Sequence, residues 1–209
     1  MSRAGVFLFA SSLDHVGLFA RSVQDIALVY DVLQGSDATD PVCTNRPPES
    51  CFSQLKGDIK GLRIAVADGH FAKGGQPEVF TAVEQVAKQL GVTQRVTIPE
   101  AHRARAAAYI ITATEGANLH LNNLRTRPQD FDPATRDRFL AGALIPGDWY
   151  IQAQRFRRWY QGCVREIFKE VDIILAPTTP CVAPLLGQEK MTIDGCLLYT
   201  SDAADDIRC

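Results

Sequence analysis

Between Ser22 and Gly35 the apolar residues Val23, Ile26, Ala27, Tyr30, Val32 and Leu33 return at intervals of three and four, which predicts a helix with one buried face. Ser22 stands where a side chain caps the amide three residues on, Asp25 falls at the reciprocal position near the positive end of the helix dipole, and Gly35 supplies the stop. Before it, residues 6–21 mix short apolar runs with Ser-Ser and Gly and read as loop and strand. After it, residues 36–60 carry Pro41, Pro47 and Pro48 among Asp, Ser and Thr, a connection across the surface. Leu62 to Val66 then reads as a strand. Val79, Val83, Val86, Ala87 and Leu90 form a helical stripe that opens at Pro77 and ends at Gly91, and Val92 to Ile98 forms a second strand. Strand, helix and strand over this distance predict a βαβ unit.

Further along, Ala101 to Leu121 reads as an alanine-rich helix, and Pro133 opens another that runs through Leu140. The longest helix spans about Asp148 to Glu170, with Trp149, Ala153, Phe156, Tyr160, Cys163, Val164 and Ile167 on its core side. On that wheel Arg157 falls at the rim of the stripe, whereas Arg155 and Arg158 point away. Asp172 to Ala176 is a short apolar strand stopped by Pro177-Thr178-Thr179-Pro180. The chain is therefore α/β, with a sheet flanked by helices.

Composition narrows the class. Charge is close to balanced at −2 and no basic run marks a nucleic-acid surface. No apolar run approaches the length of a membrane span and the first residues lack the zones of a signal peptide, so the expected location is cytoplasmic, with no membrane partner. The six cysteines show neither a C-x-x-C pair nor a zinc spacing with histidine, which leaves no metal site and no disulfide framework to propose. Cys163 reads as a core residue.

The C-terminal stretch has a separate character. Cys196-Leu197-Leu198-Tyr199-Thr200-Ser201-Asp202-Ala203-Ala204-Asp205 resembles a reading-frame translation of a common transposase library adapter, ten residues in order. Residues 196–209 are accordingly expected to be disordered and foreign to the fold, leaving 1–195 as the natural segment.

Three stretches carry a family resemblance. Phe9-Ala10-Ser11-Ser12-Leu13-Asp14-His15-Val16-Gly17 with Phe19-Ala20-Arg21-Ser22-Val23-Gln24-Asp25, then Tyr150-Ile151-Gln152-Ala153-Gln154-Arg155-Phe156-Arg157-Arg158, then Asp172 to Pro180, resemble in order the amidase signature family. The resemblance implies a mixed β-sheet flanked by helices, here the central-to-C-terminal part of an amidase domain and truncated at both ends. Thr114 to His120, Leu124 to Arg127 and Phe131 to Phe139 are most similar to the carboxybiuret hydrolase branch, and match the amidase-type component of glutamyl-tRNA amidotransferase less well. Leu8 and Leu18 stand where the family has proline, so the bends there are less restricted.

Family chemistry uses a serine nucleophile activated by a cis-serine and a lysine, with backbone amides binding the oxyanion. The resemblance puts all three upstream of the Ser2-Arg3-Ala4-Gly5 stretch, so no catalytic residue is expected within this chain, which is expected to be inactive as it stands. Ser11-Ser12 lacks glycine-rich surroundings and reads as a polar bend, with Asp14 and Glu115 bracing backbone nearby and His15 structural. What remains is substrate binding. Arg157 matches the family arginine that holds a substrate carboxylate, the alternative being an arginine that snorkels or pairs with an internal acid; Tyr109 corresponds either to a pocket-lining aromatic or, the stronger expectation, to a core tyrosine. The implied substrate is a small carboxylated urea-type amide, without cofactor. The implied partner is a small companion protein or a second copy; nucleic acid enters only under the alternative amidotransferase reading.

Overall fold

The computed structural model describes residues 1–188, 190–193 and 196–199, the last four by backbone alone. In chain order its elements are α1 (Val23–Leu33), α2 (Cys51–Gln54), β1 (Ile64–Asp68), α3 (Pro77–Gln89), β2 (Arg95–Thr97), α4 (Ala101–Thr126), α5 (Pro133–Ala143), α6 (Gly147–Glu170), β3 (Ile173–Leu175), β4 (Lys190–Ile193) and β5 (Cys196–Tyr199). Short 3₁₀ turns occupy Gly69–Ala72 and Pro128–Asp130. The chain forms two compact units: Met1–Lys60 with Thr112–Ile145, and Gly61–Ile111 with Pro146–Cys209. The residues of α4 are divided between them.

The second unit is built on a parallel sheet in the order β2-β1-β3. β1 lies in the middle, with Val66 opposite Arg95 on one side and Ile64 opposite Ile173 on the other. A strand paired on both edges and covered on both faces needs a continuous apolar run, and Ala65, Val66 and Ala67 are all buried. The βαβ unit read from the sequence is therefore present, with α3 as the crossover and Pro77 in its first turn. Two arginine–carboxylate forks hold the sheet's neighbours in place. Arg63 meets Asp172 through its backbone N–H (2.8 Å), Nε (3.2 Å) and Nη2 (2.8 Å), which sets β1 beside β3. This contact holds the Asp172 carboxyl down at about 2. Arg95 meets Glu84 at 2.7 and 2.8 Å and ties β2 to α3.

Stripe positions differ in how deeply they sit. On α6, Ala153 is buried and Phe156, Tyr160, Cys163, Val164 and Ile167 are partly buried, but Trp149 in the first turn is 54% exposed. Ala87 of α3 is buried, whereas Val86 and Leu90 are exposed. Helical periodicity fixes which way these side chains point; burial needs a second surface in that direction. β4 and β5 pair antiparallel, from Lys190 opposite Tyr199 to Ile193 opposite Cys196, so the first four residues of the adapter-like stretch form a strand. The rest of that stretch, 200–209, lies outside the described residues. Ile193 is buried against Cys181, with Met191 packed on the pair. Among the described residues, antiparallel pairing is confined to this hairpin.

In the first unit, α1 begins where the sequence puts it: the Ser22 hydroxyl accepts the Asp25 N–H at 3.1 Å. Gln34 closes it, followed by Gly35 at φ +125°. Its expected buried face is open, however. Ala27 alone of its residues is buried, while Val23, Val32 and Leu33 are exposed. Residues 6–21 contain turns and bends but no strand. Within the expected surface connection lies α2, whose first amides, Cys51 N–H (2.7 Å) and Phe52 N–H (3.1 Å), donate to Asp31 of α1. The core centres on Phe139, 2% exposed, whose ring meets those of Phe9, His120 and Phe131 with centroids 4.7, 5.3 and 5.9 Å away. Glycine makes this possible: at Gly116 a Cβ would lie 2.3 Å from the Phe139 ring, and at Gly142 one would lie 2.1 Å from the Ala113 carbonyl oxygen.

Candidate functional site

Two polar constellations stand out, one in each unit. In the second unit, α6 presents Tyr150, Gln154, Arg157 and Gln161 at intervals of four, three and four, one stripe along the helix. These residues, with Arg155 and Arg158, line a groove of about 520 Å³. Arg157 is half-buried while Arg155 and Arg158 are exposed, the arrangement expected from their phases on the wheel. Gln154 donates from Nε2 to the Tyr150 hydroxyl at 2.9 Å. Three guanidinium groups are among the described residues that line the groove, which gives its lining a cationic character. Arg103 of α4 stacks over the Phe156 ring at 5.2 Å and packs α4 against α6 in this unit.

Tyr109, on α4, is 41% exposed and is not among the residues lining this groove. Its side chain and the arginine stripe belong to the same unit but to different elements.

In the first unit the N-terminal segment is gripped by acids, one of them within it and two farther along the chain. Asp14 Oδ2 accepts the Phe9 and Ala10 N–H groups at 2.5 and 3.0 Å. Glu115 of α4 accepts the Ser12 N–H at 2.8 Å and the Ser12 hydroxyl at 2.6 Å. Arg3 forks onto Asp40 through Nε (3.3 Å) and Nη2 (3.2 Å), donates its own N–H to the same acid (2.9 Å), and reaches the Ser11 carbonyl through Nη1 at 2.6 Å. Hydrogen bonds from Arg3 hold the Asp40 carboxyl down at about 2. Asp40 is buried, so its charge is matched by a guanidinium and by amides. His120, also buried, bonds through Nε2 to the Leu8 carbonyl at 2.7 Å, and the Phe7 ring stacks on it at 4.6 Å. His15 Nδ1 bonds the Leu13 carbonyl at 2.6 Å.

The serine pair is thus a braced bend: both backbone and hydroxyl of Ser12 are held by Glu115. Of the residues singled out from the sequence, Asp14 and Glu115 do brace backbone here. Asp40 and His120 are additions from the fold, because a lone Asp in a Pro-rich connection and a lone His in an alanine-rich helix carry no local signal. Tyr150 and Gln154 belong to a visible motif, but only the side-chain bond between them gives them a part. Among the described residues no cluster of His, Cys, Asp or Glu could hold a metal ion, and no helix is long and apolar enough to cross a membrane.

Comparison with known proteins places these features in context. The Amidase family matches residues 1–205. The chain is 45% identical over 195 residues to AtzE, a component of 1-carboxybiuret hydrolase in Pseudomonas sp. (strain ADP), covering 93% of this chain and 43% of that protein. It is 35% identical over 229 residues to the amidase-type component of glutamyl-tRNA(Gln) amidotransferase from Roseiflexus castenholzii (strain DSM 13941 / HLO8), covering 97% of this chain and 46% of the relative. A solved structure similar to it is described as an inhibitor-bound form of an unexpected vestigial protein complex that reveals the evolutionary origins of an s-triazine catabolic enzyme. It superposes with a TM-score of 0.90 at 44% identity, covering 95% of this chain and 43% of that one. The chain therefore spans less than half the length of the relatives it matches.

Proposed function

Because the chain belongs to the amidase family, we propose that it is part of an amidohydrolase that cleaves a C–N bond in a small carboxylated urea-type amide, and that it supplies the carboxylate-binding side of the site. The observation that carries this is the groove on α6, where half-buried Arg157 stands between a partly buried stripe and the exposed Arg155 and Arg158. A guanidinium so placed takes a carboxylate in its fork with two parallel hydrogen bonds. The 45% identity to a protein named for hydrolysing 1-carboxybiuret supports the substrate class. Tyr109, which lies outside the groove, enters this reading only through the resemblance, as an aromatic surface for the same substrate. In this proposal the serine, cis-serine and lysine of the family mechanism are not among these residues, and the expected outcome for the chain on its own is no amidase activity.

A second reading is an amidase-type component of a glutamyl-tRNA amidotransferase assembly, supported by the 35% identity across nearly the whole chain. Neighbouring genes separate the two. Genes for two further amidotransferase components favour the second reading, and one for a small companion protein favours the first. A partner protein in the first reading accords with a related structure described as a complex.

The test is Arg157→Leu in the enzyme completed on both sides. Catalytic efficiency should fall on a carboxylated substrate by the cost of truncating one partner of a charge-assisted pair, on the order of 2–5 kcal/mol. An uncarboxylated amide should lose far less, and Arg157→Lys should rescue little, because an ammonium does not reproduce the fork. Equal losses on both substrates, with a lowered melting temperature, would make Arg157 a packing residue.

A further inference from the structure

Helix α1 is apolar on the side that faces away from its own neighbours. Its inner side is marked by buried Ala27 and by Asp31, whose carboxylate accepts hydrogen bonds from the Ser50 hydroxyl (2.9 Å) and from the first two amides of α2. These two positions lie within about 40° of each other round the helix. An ordinary surface helix turns its polar residues outward from such a side. α1 does the reverse. At about 100° per residue, the side chains from Leu28 through Val32, Val29, Leu33 and Ile26 to Val23 follow one another over roughly 220° of the cylinder. All six are exposed, Val32 by 81% and Val23 by 64%. Asp25, in the first turn, is the one polar side chain of α1 inside that arc, and its N–H is held by the Ser22 cap.

The width of the arc decides what covers it. A single element laid against α1, or the same face of a second copy across a twofold axis, meets a stripe of about 100°. A helix lying in a membrane surface likewise buries one face and keeps a polar one, and eleven residues are too few to cross a bilayer, which takes about 20. An arc twice as wide needs walls on several sides, and a helix apolar nearly all round belongs to a protein interior. The relatives have chain enough for such walls. This chain covers 43% of AtzE, and its fold recurs with a TM-score of 0.90 in a solved chain of which it covers 43%. We infer that α1 is an interior helix of the complete amidase domain, and that its apolar arc is enclosed by the portion of that domain beyond the matched segment. The inference rests on the family and not on the substrate, so its outcome is independent of the Arg157 reading.

Side-chain accessibility in the enzyme completed on both sides tests it. Leu28→Cys, Val29→Cys and Val23→Cys sample one end, the middle and the other end of the arc. N-ethylmaleimide labelling, with sites read by mass spectrometry, should be about 100-fold slower at all three than in the urea-unfolded enzyme. In the 209-residue chain the same sites should label within about 5-fold of the unfolded rate. If one variant fails to fold, the other two decide. Protection below about 10-fold at any variant that melts like the parent overturns the inference. Equal protection in the 209-residue chain also overturns it, since the chain would then cover α1 by itself. Protection that fades on dilution would assign the arc to a second copy, and protection that needs phosphatidylglycerol vesicles would assign it to a membrane; either result refutes enclosure within the domain.

Discussion

Replacing a glycine inside a helix by alanine ordinarily stabilises a protein, by up to about 1 kcal/mol, since alanine is the better helix former. Gly116 and Gly162 are both interior to long helices, α4 and α6, and sequence alone gives no reason to expect different outcomes. Their surroundings differ completely. A Cβ at Gly162 meets nothing within 4 Å. One at Gly116 would lie 2.3 and 2.9 Å from two carbons of the Phe139 ring and 3.0 Å from the Phe9 carbonyl oxygen. Carbon atoms rest at about 3.5–4.0 Å, so the ring would have to retreat by more than an ångström. It has nowhere to go, being 2% exposed and enclosed by Phe9, His120 and Phe131. Overpacking of this kind costs about 1–3 kcal/mol and sometimes more. Gly162→Ala should therefore stabilise by about 0.5–1 kcal/mol. Gly116→Ala should destabilise after its propensity gain is offset, leaving a gap of about 2–3 kcal/mol between the two variants. At roughly 2–4 °C per kcal/mol for a chain of this size, the melting temperatures should differ by about 5–10 °C. Urea denaturation and thermal melts of parent and variants, run side by side, check it. If Gly116→Ala is as stable as Gly162→Ala, the close packing of α4 on Phe139 is refuted.

Gly142→Ala should destabilise at least as much as Gly116→Ala, because its Cβ meets the Ala113 backbone at 2.1 Å and no side-chain rotation can relieve that; a melting temperature at or above the parent's would contradict the α4–α5 approach. Asp172 and Asp40 have folded values near 2, below the ordinary carboxylate range, so their stabilising contribution is complete above about pH 4 and is lost as pH falls toward 2. Melting temperature should drop across that window, and Asp172→Asn should flatten the drop while lowering stability at neutral pH. A fluorophosphonate probe should leave the 209-residue chain unlabelled, since the Ser12 hydroxyl donates to Glu115 within a braced bend; mass spectrometry that finds the adduct on Ser11 or Ser12 would sink the view that catalysis lies elsewhere.

What could be read from the sequence was what depends on neighbours along the chain. Ser22 capping α1, Pro77 opening α3 and the apolar run through β1 are local, and each element stands where pattern and punctuation put it. The relative phases of Arg155, Arg157 and Arg158 are local too, a matter of about 100° per residue, and so the half-buried arginine could be picked from its exposed neighbours. Burial is not local. The α1 stripe and Trp149 point as periodicity requires, yet Val23, Val32 and Trp149 stay exposed, because whether a face is covered depends on an element elsewhere in the chain. The contacts that organise the polar bend have the same character. Glu115 reaches Ser12 across 103 positions, Asp172 reaches Arg63 across 109 and His120 reaches Leu8 across 112. No spacing rule connects such pairs; only a folded backbone does. The groove on α6 lies between these cases. Its side chains share one helix, so the stripe of Tyr150, Gln154 and Arg157 is already present in the sequence. What the sequence does not contain is the side-chain bond within that stripe, between Gln154 and the Tyr150 hydroxyl at 2.9 Å, and the set of residues that share the groove with it.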